Sequence, residues 1–145
     1  MNKFSFQFLV LLLMFTLISC EDDQVKDEVS QIEIDLKLKR FDRAFAEASP
    51  ADLPELQKEY PFLFPTQFHD SIWVNKMNDT LQIEIQNEVV KQFPDFSPYK
   101  KDIEEFYKYL KYHFPKFSVP TVITLAEEVD YKNKVILTND YLLIS

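Results

Sequence analysis

There is no glycine among the 145 residues. That absence removes every device whose backbone only glycine supplies cheaply: the Gly-rich phosphate loop, the dinucleotide fingerprint, the Gly-x-Ser-x-Gly nucleophile elbow and the EF-hand calcium loop. Cysteine occurs once, at Cys20, which excludes an internal disulfide, a zinc site built on several thiolates and a cysteine nucleophile in the body of the chain. Histidine occurs twice, at His69 and His113, with no His-Glu-x-x-His or other metal-ligand spacing between them. Positive charge is also short: 16 Lys and Arg stand against 24 Asp and Glu, a formal net charge of −8. An acidic balance disfavours nucleic acid, whose affinity comes from Lys and Arg neutralising phosphates. It equally disfavours docking on anionic lipid headgroups.

What the chain does have begins at once. Lys3 gives a short positive start, Phe4 to Ile18 is almost unbroken hydrocarbon, and Leu17-Ile18-Ser19-Cys20 closes the run with a small residue before the cysteine. A charged start, an apolar core and a small-residue exit define a secretory signal. As a helix the apolar part would be about 22 Å long, short of the roughly 30 Å hydrocarbon core of a bilayer, which argues against a spanning helix. Leu17, Ile18, Ser19 and Cys20 resemble the lipobox of bacterial lipoproteins, in which the cysteine thiol receives a diacylglycerol and the leader is cut off before it. The other reading is an ordinary cleaved signal ending in a free cysteine. The expected organisation is a leader over 1–19, a lipidated Cys20 with an acidic tether to residue 30, and one α+β domain over 31–145. Cleavage removes one positive side chain, Lys3, and so takes the net charge from −8 to −9. Eighteen of the 22 aromatic residues remain in the mature part, which argues against disorder.

Residues 21–30 carry five acids and few apolar side chains, a composition that predicts a flexible spacer reaching at most about 35 Å. Ile32, Ile34, Leu36 and Leu38 alternate with charged residues, which predicts a half-buried strand over 32–39. Phe41, Ala44, Phe45 and Ala48 predict a short helix ending at Ser49 before Pro50. A second helix follows to Tyr60, with Ser49 or Asp52 as its cap. Pro61 to Pro65 is an aromatic link. Trp73, Met77, Leu81, Ile85, Val89 and Phe93 step by four, a row that drifts about 40° per step around a straight helix. Two helices are therefore expected, broken near Asn78, with Asp79 capping the second and Gln82 completing a box-like pair. Ser97 and Pro98 open a further helix with a stripe of Ile103, Phe106, Tyr107, Leu110 and Phe114. From Pro120 the texture becomes β: strands over 121–126, 134–138 and 141–145, with Asn and Asp at any positive-φ turn positions. The fold class expected is α+β, an N-terminal strand, four to five helices and a small C-terminal sheet. The apolar last strand suggests the front part of a longer domain.

Few side chains are candidates for chemistry. His69 beside Asp70 is either a ligand pair or a helix cap, and His113 suits a helix C-terminus. Glu127, Glu128 and Asp130 beside a turn could hold a hard cation, although a solvated hairpin end is the commoner fate of such a cluster. Trp73 with the Phe62 to Phe68 group is a sugar or peptide platform or, more often for aromatics at this spacing, core. No catalytic residue, metal ligand, cofactor or small-molecule substrate is expected.

Four blocks, Arg40 to Phe45, Asp70 to Gln82, His113 to Pro120 and Val129 to Asn133, resemble the gliding-motility lipoprotein GldB family of Bacteroidetes in order and spacing. The resemblance covers the lipobox and residues 31–145, and matches the N-terminal half of a longer family. It implies a non-enzymatic cell-envelope lipoprotein, carrying palmitate-type acylation on Cys20. Such a protein would face the periplasm, tethered to the inner or the outer membrane, and would work with other gliding and type IX secretion proteins. The family is also remotely similar to a predicted zinc-peptidase group. The alternative reading it implies is the front of a peptidase-like lipoprotein, active or inactive, whose metal helix would follow Ser145.

Overall fold

The structure is a computed structural model that describes residues 21–127 and 134–145. The leader, the lipobox with Cys20, and the turn block Val129 to Asn133 lie outside the described residues. The order of elements is α1 (Glu21–Ser30), β1 (Leu38–Arg40), α2 (Phe41–Glu47), α3 (Leu53–Glu59), α4 (Asp70–Met77), α5 (Thr80–Gln92), α6 (Ser97–His113), β2 (Thr121–Thr124), β3 (Val135–Leu137) and β4 (Tyr141–Ile144). This is the α+β architecture expected, with one additional helix and a shorter first strand.

The additional helix is α1, where an irregular tether is expected from composition. Val25 and Val29 are four residues apart and share one face, and Val29 is only 3% exposed. The Tyr112 hydroxyl donates to Glu28 Oε2 (3.0 Å) and Lys108 Nζ donates to the Ser30 carbonyl (3.3 Å). Burial of one valine and two long-range hydrogen bonds offset an ordering cost that the local composition alone cannot.

Two compact units are present. Among the described residues, one comprises those through Ile34 with Glu105–Phe117, and the other comprises Asp35–Glu104 with those from Ser118 to Ser145.

The larger unit holds the sheet, in the order β1-β2-β4-β3. β1 and β4 both run parallel to β2, and β3 is antiparallel to β4. The N-terminal strand therefore belongs to the C-terminal sheet. Strand geometry is confined to Leu38–Arg40, although Ile32, Ile34 and Leu36 keep their inward alternation. The partner β2 is four residues long, so it can ladder with three residues of β1 and accept little more. Among the described residues no non-glycine residue has a positive φ. The Thr138 to Tyr141 turn closes through the Thr138 hydroxyl, which accepts the Asp140 and Tyr141 amides (3.3 and 2.9 Å); no left-handed Asn or Asp is used there.

Proline and acid spacing set the helices of this unit. Of the two caps proposed for the second helix, Asp52 stands at the N-cap position of α3 without a side-chain cap bond, its carboxylate turning back to Ser49. Ser49 and Asp52 form a reciprocal capping box over a 3-10 turn, Pro50–Asp52, and α3 then starts with Pro54 in its first turn. α4 and α5 break at Asn78, and Asp79 Oδ1 accepts the Gln82 amide (2.9 Å). The Gln82 side chain does not return to complete a box; it donates inward to the Ala126 carbonyl (2.7 Å). Phe45, Leu53, Leu56, Tyr60 and Phe64 form the core cluster, flanked by Phe41 and Trp73. Each buried apolar side chain of this size contributes on the order of 2–3 kcal/mol.

The apolar stripes are only partly as expected. On α5 the four-step row fails at Leu81, which is exposed, while Gln82 and Gln86 are buried. The face that turns inward is 82, 85, 86 and 89, an ordinary helical set. On α6 Tyr107 is buried, but Phe106 and Phe114 are exposed.

Candidate functional site

The strongest local constellation lies where β1 meets α2. Asp42, in the first turn of α2, is 2% exposed. A carboxylate so far from water requires partners. Arg40 Nε donates to Asp42 Oδ1 (2.9 Å) and Oδ2 (3.1 Å), and Arg40 Nη2 donates to Oδ2 (2.6 Å). The Thr124 hydroxyl, from the end of β2, donates to Asp42 Oδ1. Burial by itself pushes the Asp42 carboxyl up, but the Arg40 and Thr124 hydrogen bonds and the Arg40 charge outweigh it and hold the group below the usual carboxylate range. The hydrogen bond to Asp42, opposed in part by desolvation, raises the Arg40 guanidinium in turn.

The same guanidinium ties in the exit of α5. Arg40 Nη2 donates to the Phe93 carbonyl (3.1 Å), Arg43 Nη2 donates to the Pro94 carbonyl (2.8 Å), and the Arg40 head lies 5.1 Å from the centre of the Phe96 ring. These bonds satisfy carbonyls that a helix end leaves open. Beside them is a cavity of about 350 Å³, walled by Val89, Phe93, Phe96, Tyr99, Ile103 and Leu125, with the Arg40–Asp42 pair at one side. Asp42 also borders a smaller cavity of about 70 Å³, whose rim carries Lys76 and Glu127. A carboxylate held ionised, and engaged by a bidentate arginine and a hydroxyl, has little capacity to act as an acid or base near neutral pH. What the arrangement offers is a fixed apolar recess beside a neutralised ion pair.

The residues singled out from sequence are placed elsewhere. His69 caps α4: its Nδ1 accepts the Ser71 amide (3.2 Å) and lies 3.0 Å from the Ser71 hydroxyl. Asp70 accepts instead from Gln57 Nε2 (2.7 Å), so His69 and Asp70 serve separate local contacts. His113 is exposed at the end of α6, its ring 5.0 Å from that of Tyr112. Glu127 pairs with Lys76 (3.0 Å); Glu128 and Asp130 lie outside the described residues. Trp73 is packed edge-on against Phe64 (4.9 Å) and Phe68 (6.5 Å) and flanks the core cluster, while Phe62 and Phe68 themselves are exposed. Among the described residues no group of three or more His, Cys, Asp or Glu is arranged to hold a metal ion, and no helix is long and apolar enough to cross a membrane.

The Asp42 centre was not legible as a site. Its one sequence signal is Arg-x-Asp-Arg at the head of a short apolar helix, and Thr124 enters from 82 residues away.

An α+β chain that follows a lipobox-like leader has the make-up expected of an envelope lipoprotein. The sequence profile described as gliding motility protein GldB matches residues 22–145, and the chain belongs to that family of gliding-motility lipoproteins. No curated protein and no solved structure matches the chain.

Proposed function

We propose that this chain is a non-enzymatic component of the gliding apparatus and of the type IX secretion machinery linked to it, held on a cell-envelope membrane through acylated Cys20. The observation that carries the non-enzymatic part is the state of Asp42. The most buried ionisable carboxylate in the described chain is committed to Arg40 and Thr124, so the centre that most resembles an active site is built as a structural clamp. Family membership supports the gliding role, and Leu17, Ile18, Ser19 and Cys20 support the anchor.

The test is complementation of a gliding bacterium that lacks its own family member. Colony spreading and export of secreted cargo are measured together. Cys20→Ala is expected to abolish both. His69→Gln, His113→Ala and Glu127→Gln are expected to leave both intact. Loss of spreading in any of these three variants, at unchanged protein level, would point to a ligand or catalytic role and against this reading. Spreading restored without restored export would separate the gliding role from secretion.

A further inference from the structure

Two glutamines one turn apart on α5 are buried, and the fold treats them differently. Gln82, 6% exposed, donates to the Ala126 carbonyl (2.7 Å). Gln86, 5% exposed, has no hydrogen-bond partner among the described residues. Its carboxamide is not sealed in. The wholly enclosed side-chain atoms that lack a partner, among the described residues, are Arg43 Nε and the Tyr107 hydroxyl. Gln86 instead opens on the cavity of about 70 Å³ that Asp42 also borders. A buried carboxamide that meets no protein group takes its partner from whatever fills the space beside it.

The walls restrict what can enter. Phe45, Leu63, Trp73 and Leu125 supply apolar surface. Each charged side chain at the cavity already has its counter-charge: Asp42 is held by Arg40 (2.6 Å), and Lys76 and Glu127 hold each other at the rim (3.0 Å). An ionic occupant would therefore be buried without compensation. A purely apolar occupant would leave the Gln86 amide unsatisfied. A carboxamide presents an acceptor and a donor side by side, and the group that meets both with two parallel bonds is another carboxamide. A volume of about 70 Å³ has room for about five water-sized groups, the size of an asparagine or glutamine side chain. At the mouth, Lys76 has spare N–H groups and Glu127 a spare carboxylate oxygen beyond their ion pair. They are a donor and an acceptor suited to the C=O and N–H of a passing backbone.

We infer that this cavity is a side-chain pocket for a peptide segment of a partner protein, and that it takes an asparagine or glutamine whose carboxamide pairs with Gln86. The inference stands on the cavity alone and depends neither on acylation of Cys20 nor on the gliding role. Glu127→Gln keeps an oxygen acceptor at the mouth, which agrees with its expected neutrality in the spreading assay.

Trp73 lines the cavity and is the single tryptophan of the chain, so its indole N–H resonance in the isotope-labelled full chain, held in detergent micelles, reports occupancy. The probes are the peptide acetyl-Ala-Ala-Gln-Ala-Ala-amide, its counterpart with leucine in place of the glutamine, and N-acetylglucosamine. The glutamine peptide is expected to move the resonance saturably, with an affinity about tenfold above that of the leucine peptide. Gln86→Met, which keeps the bulk and removes the amide, is expected to bring the two peptides level. Equal affinity of both peptides for the parent chain would mean an apolar slot. Saturation by N-acetylglucosamine at the same or lower concentration than the glutamine peptide would assign the amide to a sugar. No shift with any probe would mean that water alone meets Gln86. Each of these results overturns the proposal, and so does a glutamine preference that survives in Gln86→Met. Should Gln86→Met fail to fold, the comparison of probes on the parent chain decides by itself.

Discussion

A carboxylate removed from water as completely as Asp42 is stable only while Arg40 stays beside it. Asp42→Asn keeps the shape but leaves a largely buried guanidinium uncompensated, and breaking such pairs costs about 3–5 kcal/mol. Chemical denaturation should show a loss of that order, larger than for Lys91→Ala, which disrupts an exposed ion pair with Glu88 worth under about 1 kcal/mol. The sign with pH follows from the lowered Asp42 value. The native carboxylate is favoured, so its contribution is present above the unfolded value of about 3.9 and disappears as pH falls through the lower folded value. Melting temperature should drop more steeply below about pH 4 for the parent than for Asp42→Asn. Tyr60 behaves in the opposite sense. Burial, with the Glu59 charge and hydrogen bond, pushes its phenol up to about 12. The neutral phenol therefore stabilises the fold fully below the unfolded value of about 10, and that contribution is lost as pH rises toward 12. Tyr60→Phe, which keeps the ring against Phe41, should flatten the alkaline limb of the melting curve; an unchanged limb would refute the assignment.

Elements were legible to the degree that their causes are local. Pro50 bounded α2, Ser49 marked the entry to α3, and Asn78 with Asp79 marked the break between α4 and α5, because a capping box or an acid cap is a bond between positions three apart. Asp79→Ala removes one such bond, the acceptor of the Gln82 amide, and should cost about 1 kcal/mol in thermal or denaturant unfolding. Where the cause is distant, sequence reasoning stopped short. α1 looks like a spacer because Tyr112 and Lys108, which hold it, come 84 and 78 residues after their partners. Its valine pair was the available sign. Strand β1 shows its full alternation in sequence, yet the ladder is cut to three residues by the length of β2. Gln82 and Gln86 defeated the apolar-stripe argument on α5, since a glutamine that finds the Ala126 carbonyl can be buried where pattern reading expects leucine. The recess beside Arg40 was invisible for the same reason, its walls coming from α5, α6, β2 and β4.

At the scale of the whole molecule, the two units differ in how they are secured. The larger has parallel strands with Val122 and Ile123 almost wholly buried, an aromatic core cluster and the Arg40–Asp42 clamp. The smaller rests on Val29, Tyr107 and a few side-chain hydrogen bonds. α6 contributes residues to both. Local opening free energies follow buried apolar contact, so α1 should open before the sheet does. Val29→Ala is expected to cost about 2 kcal/mol in that opening. In hydrogen-exchange mass spectrometry, amides of residues 23–30 and 106–113 should then exchange more than about tenfold faster, since each 1.4 kcal/mol is roughly a factor of ten. Amides of β2 and β4 should keep the parent rate. If the sheet amides accelerate by the same factor, the units unfold together and α6 transmits the loss. If neither set changes, Val29 is not what holds α1, and the long-range hydrogen bonds of Tyr112 and Lys108 carry it instead.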